Sequence, residues 1–289
     1  MQKSNPKKHI FKKQSQPHPG LEFKMQPLPI FDDGLPGCHK LESKKCIITG
    51  GDSGIGRAVA VAFAKQGADV AIIYLKSEQK DALATANYIK DNFNKVCLTV
   101  PADISKETNC IRAINKIKNK FGEIHVLVNN AAVHYPVDDL SKISTKQLLE
   151  TFSVNIFAMF WITKAVLPVM KKGAAIINST SVTAYRGSGG LLDYSSTKGA
   201  IVSFTRSLSA NLVDKGIRVN GVAPGPVWTP LVPASFPPSK VMVYGTDTPM
   251  KRPAQPAEIA PAYVFLACDD ASYITGQFIH VNGGEIVNT

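Results

Sequence analysis

The sequence predicts an α/β fold: one doubly wound parallel sheet of about seven strands, with helices on both faces. Three observations carry this. Short apolar runs of strand length alternate with helical segments over most of the chain. A glycine-rich turn joins the first such strand to the first helix. The length, 289 residues with 44% hydrophobic and 19% charged residues, allows one large α/β domain or two smaller ones.

Residues 1–44 differ from the rest. Pro6, Pro17, Pro19, Pro27, Pro29 and Pro36 break any helix, and lysines alternate with polar residues. The segment reads as an extended arm, either a free tail or one packed on the domain through Phe23, Leu28, Ile30 and Phe31. Residues 45–289 read as one α/β domain. The first strand is Lys45-Cys46-Ile47-Ile48-Thr49, followed by Gly50-Gly51-Asp52-Ser53-Gly54-Ile55-Gly56 and the helix RAVAVAFAKQG. Glycines let a backbone approach a pyrophosphate, and a helix N-terminus offers free N–H groups and the positive end of its dipole.

The second strand, Asp69 to Leu75, should end at the adenosine ribose. A carboxylate there would accept from the 2′-hydroxyl of NAD and repel the 2′-phosphate of NADP. The sequence offers Tyr74-Leu75-Lys76-Ser77. Lys76, unless merely solvated, tilts the reading slightly towards NADP. A helix follows at 81–93, then a third strand at 96–100 leading to Asp103 and Ile104. Ser105 to Lys120 reads as a helix with Ser105 as a plausible cap. Ile124 to Val128 is a fourth strand, running into Asn129-Asn130-Ala131-Ala132. In such sheets ligands bind beyond the C-terminal strand ends, where Asp103, Asn129 and Ala131 fall. An adenine contact suits Asp103, while the asparagines either bind ligand or hold the loop.

Residues 145–172 form a long helical region with Asn155 and an aromatic stripe, Phe157, Phe160 and Trp161. A buried amide needs partners, and Asn155 could hold a water linking Lys198 to solvent. Ala174 to Ile177 is a buried strand leading to Ser181. Gly216 to Ala223 is another, ending in Pro224-Gly225-Pro226-Val227-Trp228-Thr229-Pro230. The proline-rich stretch that follows, about 227–256, reads as a lid without clear periodicity. Glu258 to Cys268 is helical and Gly276 to Val281 is the last strand.

The chemistry centres on Tyr194-Ser195-Ser196-Thr197-Lys198. In a helix the tyrosine and lysine share a face. A free phenol has a pKa of ~10. A cation ~4 Å away at an effective dielectric near 20 favours the phenolate by at most ~4 kcal/mol, about three pK units. That would bring Tyr194 near neutrality, where proton transfer works best. Ser181 could aim its hydroxyl at the same substrate oxygen.

Taken together, TGGDSGIG at 49–56, Asp103, NNAA at 129–132, Asn155, Ser181, Tyr194-x-x-x-Lys198 and the Pro224-Gly225 turn resemble the short-chain dehydrogenase/reductase family. The match runs from about Leu41 to Gly284. The arm and the run ITGGDSGIGRAVAVAFAKQGADVAIIYL look closest to a bacterial branch that includes general-stress oxidoreductases. The resemblance implies a Rossmann-like fold and an NAD(P)(H)-dependent oxidoreductase interconverting a carbonyl and an alcohol. It implies Tyr194 as general acid/base, Ser181 orienting the substrate oxygen, Lys198 on the nicotinamide ribose, and Asn155 holding a relay water. Gly50, Asp52, Ser53, Gly54, Ile55 and Gly56 would hold the pyrophosphate side. Asp103 and Ile104 would meet adenine, and Asn129 the adenosine ribose region. Val227 and Thr229, after Pro224-Gly225, would contact the carboxamide and the nicotinamide-side phosphate. It also implies a homotetramer with the last strand and long helices as interfaces. Two departures stand out. Ala132 replaces the usual glycine. Ser53 stands where many NADP-preferring members carry a basic residue, so NAD stays open beside NADP.

A net charge of +11 is spread, with eight lysines against four acids in residues 1–44 and no dense basic block. The arm lacks interleaved aromatics and arginines, which argues against nucleic acid. Cys38, Cys46, Cys97, Cys110 and Cys268 are odd in number and scattered, pointing to the reducing cytoplasm and away from disulfides or zinc. No histidine-carboxylate cluster at ligand spacing is present, so no metal is expected. No apolar run of ~20 residues is apparent, so no membrane span is expected. A dinucleotide sensor on the same fold is the second reading; the complete Asn-Ser-Tyr-Lys set argues against it. The substrate itself, beyond a small carbonyl or alcohol, is not written in these motifs.

Overall fold

The computed structural model describes residues 8–287; the first seven residues of the arm and the last two of the chain lie outside them. One parallel sheet holds β1 (Lys45–Thr49), β2 (Asp69–Tyr74), β3 (Cys97–Pro101), β4 (Val126–Asn129), β5 (Ala175–Ser179), β6 (Arg218–Pro224) and β7 (Phe278–Val281). Their spatial order is β3-β2-β1-β4-β5-β6-β7. The chain winds outward from β1 to β3 and then returns to lay β4 on the other side of β1. That reversal opens a crevice beyond the C-terminal ends of β1 and β4.

The helices are α1 (Gly54–Lys65), α2 (Gln79–Phe93), α3 (Glu107–Phe121), α4 (Thr145–Phe152), α5 (Ala158–Val166), α6 (Thr183–Arg186), α7 (Leu192–Leu212), α8 (Leu231–Ser235), α9 (Pro238–Val241) and α10 (Pro256–Ala267). Strand side chains alternate between two apolar layers, as a period of two requires. Cys46, Ile48, Val70, Ile72, Val126, Val128 and Ile177 pack with α1, α2 and α10. Ile47, Ala71, Ile73, Leu127 and Ile176 pack with α3 and α5. The sheet is therefore covered on both faces, and its strands read as continuous apolar runs for that reason.

Two expectations need correction here. The helical run Thr145–Val169 is long and apolar enough, by length and composition, to cross a membrane. Its apolar residues are broken into a helix, a π-turn at Ser153–Phe157 and a second helix, and Ile162 and Val166 are core. The stretch 227–256 is not irregular throughout: it contains α8 and α9.

The arm is packed, but on other residues than Phe23, Leu28 and Ile30, which are exposed. Met25 is buried instead, in a small apolar cluster with Trp228, Val232 and Phe236. The Phe11 ring stacks on fully buried Trp228 at 3.7 Å. The Trp228 indole N–H donates to the Pro27 carbonyl (2.9 Å), and the Gln16 N–H donates to the Pro233 carbonyl (2.8 Å). Phe31 does contribute, beneath the Arg57 guanidinium, 3.7 Å from its ring centre.

The deepest anchor is a charge. Ser53, at the cap of α1, makes no side-chain bond to the helix. The Gly54 N–H donates to the Glu22 carboxylate (2.6 Å), whose other oxygen accepts from Arg57 (2.7 Å). Glu22 is 1% exposed. Burial pushes its carboxyl pKa up, against the pull of Arg57 and the Gly54 N–H. A carboxylate at a helix N-terminus satisfies an orphan donor and complements the dipole. Glu22→Ala strands the Arg57 charge and should lower stability by about 3 kcal/mol, read from urea unfolding.

Candidate active site

The crevice is a cavity of about 560 Å³. Of the residues singled out from the sequence, Gly50, Asp52, Ser53, Gly54, Ile55, Tyr74, Asp103 and Ile104 line one end. Ser181, Tyr194, Lys198, Ala131, Pro224, Gly225, Val227 and Thr229 line the rest. Thr49 ties the two central strands together above the switch point: its hydroxyl accepts from the Asn130 N–H (2.8 Å) and the Ala131 N–H (3.0 Å).

The turn between β1 and α1 is shaped by backbone. Gly50 and Gly54 hold φ of +65° and +52°, which favour glycine. Gly56 faces away from the cavity, and a Cβ there would collide with the Gly50 carbonyl. It therefore serves the close approach of helix to turn. A glycine turn at a helix start, where the backbone can come close to a ligand, fits a phosphate group. Thr229 lies against Gly54 from the far side.

At the end of β2 the structure departs from expectation. Lys76 is exposed and does not line the cavity. Glu78, one turn further on, does, together with Asp52. Glu78 accepts from the Leu75 N–H (2.9 Å). Burial pushes its carboxyl up to about 7. Asp52 is buried with one carboxylate oxygen unpaired, and burial and the nearby Glu78 push its pKa well up. Asn129 also lies outside the cavity lining: its amide turns inward and donates to the Asn178 side-chain oxygen (2.9 Å). The next residue, Asn130, lines the cavity in its place.

Helix α7 presents Tyr194 and Lys198 on its cavity face. Its start is fixed by buried Asp193, which accepts from the Tyr194 N–H (2.8 Å), Thr151 (2.9 Å) and Gln147 (3.0 Å). Lys198 is 2% exposed, and its ammonium donates to the Ser179 carbonyl (2.9 Å). It sits 5.3 Å from the Tyr194 ring centre. Burial alone pulls the lysine down to about 7. The Tyr194 phenol, with burial dominant and the Ser181 hydroxyl opposing, is pushed up to about 12. The expected activated phenolate is thus not a property of the protein by itself. The same desolvation that would strengthen an ion pair here first discharges the lysine.

Asn155 lies outside the cavity lining, in the π-turn. Its amide brackets Val133, accepting from its N–H (2.9 Å) and donating to its carbonyl (2.9 Å), and also donates to Thr197 (3.1 Å). It splints the loop after β4 to α7. Sequence reasoning passed over His134, Glu78, Asp193 and His18 of the arm. His134 and Glu78 lie just past strand ends, a position that could have flagged them. His18 had no such signal, because it enters the cavity from a segment far from the sheet.

A family model described as enoyl-(acyl carrier protein) reductase matches residues 50–285. The chain is 49% identical to NADPH-dependent aldehyde reductase 1, chloroplastic, of Arabidopsis thaliana, over 96% of this chain and 98% of that protein. It is 48% identical to General stress protein 39 of Bacillus subtilis strain 168, over 94% of each. A solved short-chain dehydrogenase from Burkholderia cenocepacia, in complex with NADP, superposes with a TM-score of 0.79 at 27% identity, covering 85% of this chain and 98% of that one.

The buried lysine has a measurable signature. Its folded pKa of about 7 lies below the ordinary 10.5. Below pH 7 both states carry the charge and the fold bears the whole cost of burying it, on the order of 5 kcal/mol. The cost shrinks as pH rises and is gone above 10.5, where both states are neutral. Stability of the protein without ligand should therefore rise between pH 7 and 10. Lys198→Met should be more stable at pH 7 and lose that rise in thermal melts.

Proposed function

The chain belongs to the short-chain dehydrogenase/reductase family, and from this we infer an NAD(P)(H)-dependent oxidoreductase that interconverts a carbonyl and an alcohol, with Tyr194 as its proton-transfer group. The observation that carries the reading is a single cavity lined by the glycine turn at one end and by Ser181, Tyr194 and Lys198 at the other. The fit to a dinucleotide rests on the glycine turn at the start of α1, with Gly50 and Gly54 in the cavity wall, and on a buried ammonium with a single protein acceptor.

The nicotinamide, when bound, supplies or takes the hydride. The chain does the rest. Protonated at neutral pH, the Tyr194 phenol is in the form that donates to a carbonyl oxygen, and it takes the proton back in the alcohol direction. Ser181 donates a hydrogen bond to the same oxygen and orients it. Lys198 holds the nicotinamide ribose and keeps positive charge beside the phenol when that ligand returns polar partners to its ammonium. Asn155 acts by holding the Val133 loop. Gly50, Ser53, Gly54 and Ile55 hold pyrophosphate, Asp103 and Ile104 the adenine, and Val227 and Thr229 the nicotinamide side. Apolar walls exclude water, which strengthens each of these polar contacts.

For the cofactor we favour NADP(H). The support is the NADPH dependence named for the Arabidopsis relative and the NADP bound to the Burkholderia protein. The carboxyls of Asp52 and Glu78 at the ribose end oppose a 2′-phosphate unless protonated. Cytoplasmic residence agrees with the five free cysteines among the described residues. A homotetramer agrees with the exposed apolar face of Leu149, Phe157 and Phe160, and the segment 227–256 is proposed to act as a lid. The partner is a small molecule; we propose no role in binding nucleic acid or membranes.

Tyr194→Phe should cut NADPH-dependent carbonyl reduction by about 1,000-fold or more while NADPH still binds, followed by absorbance and by fluorescence titration. Turnover persisting in that variant would refute the assignment. Glu78→Gln should tighten NADPH relative to NADH by about 5-fold at pH 8, with a smaller change at pH 6, where the wild-type carboxyl is already protonated.

A further inference from the structure

The arm passes along the cavity from one wall to the other. His18, Pro19 and Gly20 are part of the lining. The His18 ring stands at the Tyr194 end, 4.8 Å from the ring of Tyr135, with its Nε2 3.3 Å from the Ser235 hydroxyl of α8. Gly20 is buried against Pro230, and a Cβ there would collide with the Pro230 carbonyl oxygen. Its φ lies outside the left-handed region, so the glycine serves the close approach and not a turn of the chain. The neighbouring Thr229 in turn meets the start of α1: a Cβ on Gly54 would lie 3.0 Å from the Thr229 methyl. Glu22 then reaches the α1 and α2 wall. Its carboxylate accepts from the Gly54 N–H, and its own N–H (2.8 Å) and that of Phe23 (3.2 Å) donate to Asp81 of α2.

A dinucleotide that extends from Asp103 and Ile104 to Tyr194 and Lys198 has to pass the point where Gly54, Thr229, Pro230 and Gly20 converge. Held at both ends, it is closed in at its middle, and its entry or release requires that one of these contacts part. The arm is the weakest member. From Lys8 to Pro19 no residue is buried. That stretch is held by the stack of Phe11 on Trp228, by the Ile10 N–H on the Met242 carbonyl (2.9 Å), by the Gln16 N–H on the Pro233 carbonyl (2.8 Å) and by the Gln26 N–H on the Gln14 side chain (3.0 Å). Segments with so little buried apolar contact open at low free energy. Glu22, buried and paired with Arg57, is of the opposite kind and stays as a fixed point.

We propose that the arm is a strap that gates the cofactor: residues 8–21 lift off the 227–256 segment, pivoting about Glu22, to admit or release NADP(H), and close again over the bound dinucleotide. The inference rests on the oxidoreductase reading above and adds the route by which its cofactor enters and leaves. The ligand itself favours closure. A dinucleotide filling the cavity gives Pro19 and Gly20 contacts that the empty cavity lacks, so binding shifts the strap towards its docked position.

Amide hydrogen exchange and stopped-flow kinetics on the full chain test this. In the wild type, NADPH should slow exchange of the Ile10 and Gln16 amides by about 5-fold or more and leave those of Glu22 and Phe23 unchanged. Gly20→Ala, whose methyl collides with the Pro230 carbonyl, should hold the strap open. Displacement of its bound NADPH by excess NADP, followed by fluorescence, should be about 10-fold faster or more than in the wild type. NADPH should then no longer protect the Gln16 amide. Phe11→Ala removes the stack on Trp228 without touching the cavity lining. It should shift both readouts the same way, and it replaces Gly20→Ala if that variant does not fold. Equal NADPH release from the wild type and the variants, with arm amides indifferent to NADPH, overturns the strap and leaves the oxidoreductase reading standing. A wild type that binds neither NADPH nor NADH overturns the reading and the strap together.

Discussion

The start of α1 sets the terms for everything around it. A helix that begins on glycines has free N–H groups and no side chains to satisfy them. Here the donors are shared between two sides. On one, Gly54 donates to Glu22, a carboxylate brought in by the arm and balanced by Arg57. On the other, the turn faces the cavity through Gly50 and Gly54, flanked by Asp52, Ser53 and Ile55. Because one side is filled from within the chain, the helix end is rigid before any ligand arrives, and the cradle on the open side is preformed.

At the opposite end of the cavity the balance is reversed. Lys198 has been taken out of water with a lone carbonyl for company, and the Tyr194 phenol has been buried without a charge to ease its ionisation. Proximity in a helix was expected to activate the phenol. Proximity is present, yet burial acts on both groups before they act on each other, since removing solvent penalises each charged form separately. The pair becomes an ion pair in waiting, with its electrostatics completed by what binds beside it.

The sheet was legible because its strands are apolar on both faces and its helices are amphipathic, so each element announced its own type. The glycine turn and the Tyr194–Lys198 pair were legible because their spacing is itself the chemistry. Lys76 and Asn129 lie outside the cavity lining for a common reason: a side chain at a strand end has two ways to turn, and the sequence does not say which. Lys76 turned to solvent and Asn129 to Asn178. Glu78 was missed because a short helical turn after β2 carries it back over the cavity. The arm was legible as extended but its anchors were not. Apolar residues were the obvious candidates, whereas burial selected Glu22, whose partners lie 32 and 35 positions along the chain.

The arm also changes what counts as the minimal enzyme. His18, Pro19 and Gly20 are part of the cavity wall, and Phe11 and Pro27 clasp the tryptophan at the root of the 227–256 segment. A polypeptide begun at Leu41 would contain every strand, every helix and the whole glycine motif, and would look complete by any inventory of its parts. It would nonetheless have a breach in the reaction chamber and would leave the 227–256 segment without its fastening.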